Sequence, residues 1–172
     1  MTSHIAILSH KSVLDKILSG QKTIESRFSR VKSVPFGQIA VGDLVYFKLS
    51  GGSVMGYARI ARVEEYDNLT PRQIDDLAKL YRQELALSED FLARKMESKF
   101  ASLLFLERVV ATEAWNYKQE GRSGWIVLSH NEAQYIPKPY AVATIPAINA
   151  LPETAEVRSQ ISDFRTVGFN KV

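Results

Sequence analysis

The sequence predicts an α+β fold in which strands form both ends of the ordered region and helices fill the middle. Three observations carry this. Short apolar runs of strand length recur near the N-terminus, and Gly51-Gly52 separates two such runs in the manner of a hairpin. A complete helix-start signal, Thr70-Pro71-Arg72-Gln73, opens the central segment. The length of 172 residues suits one domain, and we take residues 1–135 as that domain. Residues 136–172 are expected to be a C-terminal extension, packed on the domain or partly disordered.

The elements follow in chain order. Residues 4–8 read as a first strand. Ser9 or Ser12 can cap a short helix carrying Val13, Leu14, Ile17 and Leu18 on one face, and Gly20 is placed to end it. A strand over 23–27 follows. Val41-Gly42-Asp43 is a turn into a strand over 44–49, with its hairpin partner over 54–61. After Thr70, the residues Ile74, Leu77, Ala78, Tyr81 and Leu85 keep helical spacing, and Ser88 opens a second helix ending near Ser98. Strands over 102–110 and 124–128 complete the set. Pro137, Pro139 and Pro146 suggest an extended course beyond, with a short helix over 154–162.

Composition narrows the chemistry. There is no cysteine, which excludes disulfides, thiolate metal sites and a cysteine nucleophile. His4, His10 and His130 are isolated, without metal-ligand spacing, and no phosphate-binding Gly-x-x-x-x-Gly-Lys-Ser/Thr loop is present. No cofactor is expected. No apolar run reaches the length of a spanning helix, and the first residues lack the basic start of a secretory leader, so a cytoplasmic protein without membrane contact is expected. The net charge of +3 is uneven: residues 1–60 hold eight Lys/Arg against three Asp/Glu. A basic patch of this kind suits a phosphate-bearing ligand, or is a solvated face with no partner.

The basic third contains Gly20-Gln21-Lys22-Thr23-Ile24-Glu25-Ser26-Arg27. On a strand Glu25 and Arg27 share a face, and Lys22 joins them only if the chain bends after Gly20. Such a cluster can bind an anion, can tune the lysine as a base, or can be a surface salt bridge beside a glycine cap.

The four positions Gly20, Lys22, Glu25 and Arg27 match Gly-x-Lys-x-x-Glu-x-Arg, and in this strand order the chain resembles the ASCH domains (activating signal cointegrator homology) over about residues 3–130. The resemblance implies a PUA-like fold, a small mixed β-barrel with peripheral helices. It implies RNA or a modified nucleoside or nucleotide as the ligand, bound in a cleft lined by the motif. Lys22, Glu25, Arg27, Ser123 and Trp125 are the expected ligand-binding residues. Trp125 is the first choice of stacking platform, ahead of Tyr46, Tyr57, Trp115 and Tyr117. Two enzymatic branches are implied as alternatives. Deacylating relatives act on acylated cytidine through the motif lysine, a threonine three residues on and a distant glutamate. Here Glu25 replaces that threonine, Thr23 is out of register, and Asp75, Asp76 and Glu84 compete for the distant role. A ribonuclease would use Lys22 against phosphate charge, with Ser123 or Tyr117 positioning. In either branch Lys22 and Glu25 are the catalytic candidates. The remaining alternative is a protein-interaction domain in which the motif is a structural brace.

Overall fold

The computed structural model describes residues 1–118, 121–133, 136 and 141–144. Strands β1 (Ser3–Leu8), β2 (Ile24–Ser29), β3 (Leu44–Leu49), β4 (Val54–Tyr66), β5 (Phe100–Trp115) and β6 (Trp125–Leu128) lie in the order β2-β5-β4-β3-β1-β6, and β7 (Ala141–Thr144) pairs with β5 off this path. The β1–β3 pair is parallel and the others are antiparallel. The sheet is mixed and curls into a half-barrel, the PUA-like α+β architecture expected. Along this path β2 and β6 are the two ends, and no ladder joins them.

Helix α1 (Lys11–Leu18) buries Leu14 and Ile17 inside the half-barrel against Ala6, Val45, Phe47, Ile60, Leu104 and Trp125. Its N-cap is His10, with no side-chain bond, rather than Ser9 or Ser12. Gly20 ends it at φ 77° as expected, and the Gly20 N–H returns to the Ile17 carbonyl.

A second core lies on the other face of β2 and β5. There Ile24, Phe28, Ala101 and Leu103 meet Leu69, Ile74, Leu77, Tyr81 and Leu85. The start of α2 (Pro71–Leu80) has the expected capping box between Thr70 and Gln73. The helix does not run on through Leu85. Tyr81 breaks it at φ −108°, ψ 32°, a short α3 (Arg82–Leu85) follows, and Ala86 stops that in the left-handed region. Spacing alone hid the break, because Leu77 and Leu85 are buried on either side of it and Tyr81 is buried at it. Ser88 caps α4 (Glu89–Lys95) as expected. A last short helix, α5 (His130–Ala133), follows β6.

Strands β4 and β5 run longer than their apolar runs suggest. Arg62, Glu64 and Glu65 interrupt the apolar pattern of β4, yet Glu64 and Glu65 are buried and paired. The expected course of 137–140 and 145–172, including the helix over 154–162, lies outside the described residues. No helix among the described residues is long and apolar enough to cross a membrane.

Gly56 shows how closely these layers approach. A Cβ there would stand 2.6 Å from Leu18 Cδ2 and 2.8 Å from the Val110 carbonyl oxygen. Gly56→Ala is therefore expected to destabilise the fold by about 1–3 kcal/mol, the usual range for overpacking. Urea unfolding of the variant beside the parent checks this, and an unchanged midpoint would refute the tight approach of β4 to β5 and α1.

Candidate functional site

The motif is shaped by the way α1 ends. After Gly20 the chain doubles back, so that the Lys22 N–H donates to the Lys16 carbonyl at 2.9 Å. The Thr23 N–H then donates to the Glu84 carbonyl at 3.0 Å, and the Thr23 carbonyl accepts from the Leu106 N–H at 2.9 Å. The bend needed to bring Lys22 round is thus held by α1, α3 and β5 together. Lys22 Nζ reaches 3.8 Å from Glu25 Oε2, and Glu25 Oε1 lies 3.0 Å from Arg27 Nη2. The alternation of β2 puts Ile24 and Phe28 on the second core, leaving Glu25 and Arg27 to face inward.

The three charged groups differ in access. Lys22 is 3 % exposed and Glu25 4 %. Lys22 Nζ donates to the Leu85 carbonyl at 2.8 Å, and Lys16 Nζ donates to Ala86 O at 3.2 Å. Two ammonium groups thus meet the carbonyls at the end of α3, where cations are favoured. Burial pushes the Lys22 ammonium below its ordinary pKa; Glu25 opposes the shift, while Arg27 and Lys16 add to it.

Arg27 is the member that reaches outward, with 22 % of its side chain exposed. From β2 its guanidinium crosses to the opposite end of the sheet. Nη1 donates to the Gly124 carbonyl at 3.0 Å and to the Ile7 carbonyl at 3.4 Å, and Nη2 donates to Ile7 O at 3.3 Å. Its Cζ lies 5.0 Å from the centre of the Trp125 ring, a cation–π distance. The gap between β2 and β6 is therefore spanned by one side chain.

Beside that span lies a cavity of about 250 Å³. Arg27, Ser123, Gly124 and Trp125 line one side. Phe28, Ser29, Ser33, Val34, Phe36, Phe100 and Ser102 complete it. Phe36 meets Phe100 edge to face at 5.4 Å. Glu65 fixes this wall: both its carboxylate oxygens accept from the Gly37 N–H at 2.9 Å, and Oε1 accepts from Ser102 Oγ at 3.0 Å. Lys32 Nζ stands 5.1 Å from the Phe36 ring. Burial, with the Arg27 and Arg94 charges adding to it, lowers the pKa of Lys95, which places a second lysine in the field of Arg27.

The expected residues thus separate. Arg27, Ser123 and Trp125 line the cavity, whereas Lys22 and Glu25 pack behind Arg27 and are not in its lining. Trp125 is only 2 % exposed, and its indole N–H donates to His4 Nδ1 at 3.2 Å. Ser123 Oγ donates to the Trp125 carbonyl at 2.5 Å. Tyr46, Tyr57 and Trp115 form a separate aromatic cluster elsewhere on the sheet, and Tyr117 packs in the same core and reaches Glu132 at 3.5 Å.

Sequence reasoning missed Phe36, Phe100 and Ser102 as lining residues, and it missed His4. Far from isolated, His4 is fully buried between Trp125 and Asp43, its Nε2 lying 3.3 Å from Asp43 Oδ2. Asp43 also accepts from the Thr2 N–H at 2.6 Å and the Ala40 N–H at 2.9 Å. Burial disfavours its charge, but these amides and His4 outweigh that and hold its pKa below the usual carboxylate value. His10, by contrast, is exposed at the start of α1.

The same fold is found in solved structures from Zymomonas mobilis. The ASCH protein of that organism superposes with a TM-score of 0.60 at 20% identity, over 77% of this chain and 91% of that one. A Tyr-to-Phe variant of it gives a TM-score of 0.62 at 19% identity, covering 78% and 95%. A Ser-to-Ala variant gives 0.60 at 20% identity, covering 77% and 92%. No family model and no curated protein matches the sequence. The likeness establishes the fold, which is that of an ASCH domain.

Two outcomes follow from the buried charges. Glu25→Gln leaves Lys22 and Arg27 without their carboxylate and is expected to cost about 3–5 kcal/mol, as breaking a buried pair does. Lys22→Met leaves Glu25 still paired with Arg27 and should cost clearly less. Chemical denaturation of both variants gives the order, and the reverse order would refute the shared-carboxylate arrangement. The second concerns pH. Burial holds His4 below its ordinary pKa of 6.5, against the pull of Asp43. The unfolded chain takes up a proton there first, so the His4 contribution is present above 6.5 and is lost as pH falls through the lowered folded value. Urea midpoints compared between about pH 7.5 and about pH 5.5 should fall less in His4→Asn than in the parent.

Proposed function

Proceeding from the ASCH fold, we propose that this chain binds single-stranded RNA, or a modified nucleotide, in the cavity beside Arg27. The observation that carries the reading is how Arg27 is held. Both terminal nitrogens are engaged, by Ile7 O, Gly124 O and Glu25. The guanidinium therefore offers its plane rather than its fork. A planar cation fixed at the wall of a small cavity suits a base that stacks on it. The Phe36 and Phe100 rings, which also line the cavity, are the further apolar surfaces for the base. Phosphates outside the cavity would meet Lys32, beside the Phe36 ring, and Lys95, within the field of Arg27.

This reading divides the motif into two tasks. Arg27 meets the ligand, and Lys22 and Glu25 support Arg27. A volume of about 250 Å³ lies just under the roughly 300–1,000 Å³ of pockets for drug-sized ligands, which suits one base better than a longer insert. Trp125 serves from beneath, as the surface on which Arg27 rests. Catalysis by Lys22 and Glu25 is the reading this geometry favours least, because both are buried away from the cavity and Lys22 is bonded to Leu85 O.

The test is fluorescence anisotropy with a short labelled oligouridylate at low salt. Arg27→Lys keeps the charge and loses the plane; it is expected to weaken binding about tenfold, within the range for one stacked base. Lys32→Ala and Lys95→Ala should weaken binding less, each lowering the salt slope by about 0.7, the single-strand value. Failure of the parent protein to bind at low salt would overturn the reading, as would an Arg27→Lys protein that folds and binds like the parent.

A further inference from the structure

We propose that His4 and Asp43 are positioning residues for the Arg27 cavity: together they fix the Trp125 indole, and the indole sets where the guanidinium stands. The inference deepens the ligand reading above and rests on it for its binding readout.

The hydrogen-bond chain fixes its own polarity. An indole N–H is a donor only, so His4 Nδ1, 3.2 Å away, must accept and carry no proton. The proton of neutral His4 is then on Nε2, facing Asp43 Oδ2 at 3.3 Å. Asp43 is itself held by the backbone amides of Thr2 and Ala40. The imidazole is thereby set in one tautomer and one orientation, and the indole inherits both. On the far side of the indole, Arg27 rests at 5.0 Å. The Arg27 guanidinium also holds the Gly124 carbonyl, one residue before Trp125, so the two residues are tied through side chain and backbone alike.

A second proton on His4 would break this chain. Nδ1–H and the indole N–H would then be two donors facing each other with no acceptor between them. Asp43 is the charged group that acts on His4. The strand neighbours across from His4 are Val45 on β3 and Val127 on β6, which bring no charge. On the Nδ1 side stands Trp125, and beyond it Arg27. The charge nearest that side is the Arg27 guanidinium, and the Glu25 carboxylate beyond it is already paired with Arg27 and Lys22, so protonation pushes the indole away and with it the support of Arg27.

Two substitutions separate positioning from mere packing. His4→Asn keeps an acceptor near the Nδ1 position and cannot titrate, whereas His4→Leu fills space without an acceptor. Nuclear magnetic resonance on ¹⁵N-labelled protein reads the Trp125 indole N–H and the Arg27 Nε–H without any ligand. Anisotropy with the labelled oligouridylate reads binding. His4→Leu is expected to shift both resonances and to weaken binding roughly fivefold, the effect of one hydrogen bond. His4→Asn should stay near the parent at neutral pH. On acidification the parent indole resonance should move, and that of His4→Asn should not. Should His4→Leu fail to fold, Trp125→Phe removes the N–H and keeps a ring, and it should displace the Arg27 resonance in the same way. The proposal is overturned if a folded His4→Leu or Trp125→Phe leaves the Arg27 resonance where it was, or if His4→Asn loses as much as His4→Leu. If the parent binds no RNA, the ligand reading falls, and the positioning role is decided by the two resonances alone.

Discussion

A curled sheet that does not close leaves two ends facing each other, and here one guanidinium spans them. Arg27 starts on β2 and donates to carbonyls of β1 and of the residue before β6. A ladder would have satisfied those edges with backbone groups alone. A side chain does so at the expense of burying charge, and much of the surrounding chemistry is that cost being met. Glu25 neutralises Arg27, Lys22 shares Glu25, and the Leu85 carbonyl accepts a hydrogen bond from Lys22. Each group is placed by the need of the one before it. The buried cluster fixes the position of Arg27 more than it adds stability, since replacing such networks by apolar side chains is often neutral.

The same span organises the two cores. Inside the half-barrel, α1 packs against β1, β3, β4 and β5; outside, α2 and α3 pack on β2 and β5. The motif sits where these layers meet, because its backbone is bonded to α1, α3 and β5 at once. Helices that look peripheral are thereby part of the site. The carbonyl that fixes Lys22 belongs to α3, in the segment between the long strands.

Much of this was legible in the sequence. The Thr70 capping box, the Gly20 stop and the Gly51-Gly52 hairpin are local signals, each readable within a few residues. That Arg27, Ser123 and Trp125 line one cavity was legible only through the resemblance, which brings distant segments of the chain together. The division between Arg27 and its two supporters was not legible, because period-two alternation says which face a residue takes but not how deep it lies. His4 was invisible for a different reason. Its partners are 39 and 121 residues away, and each bond is one among many that a buried imidazole can make. The break at Tyr81 was hidden because burial on both sides preserves the apolar spacing.

The absence of a ladder between β2 and β6 also has a mechanical meaning. Separating two paired strands breaks a row of backbone bonds together, so paired edges resist widening as a unit. Across this seam, among the described residues, the resistance comes from the bonds of one long side chain, held by Ile7, Gly124 and Glu25 rather than by a row of backbone bonds. The half-barrel is laddered around its curve and joined by side-chain bonds along one line. The cavity lies beside that line, so on the proposed reading the width available to a ligand is set at the seam and not by the paired strands.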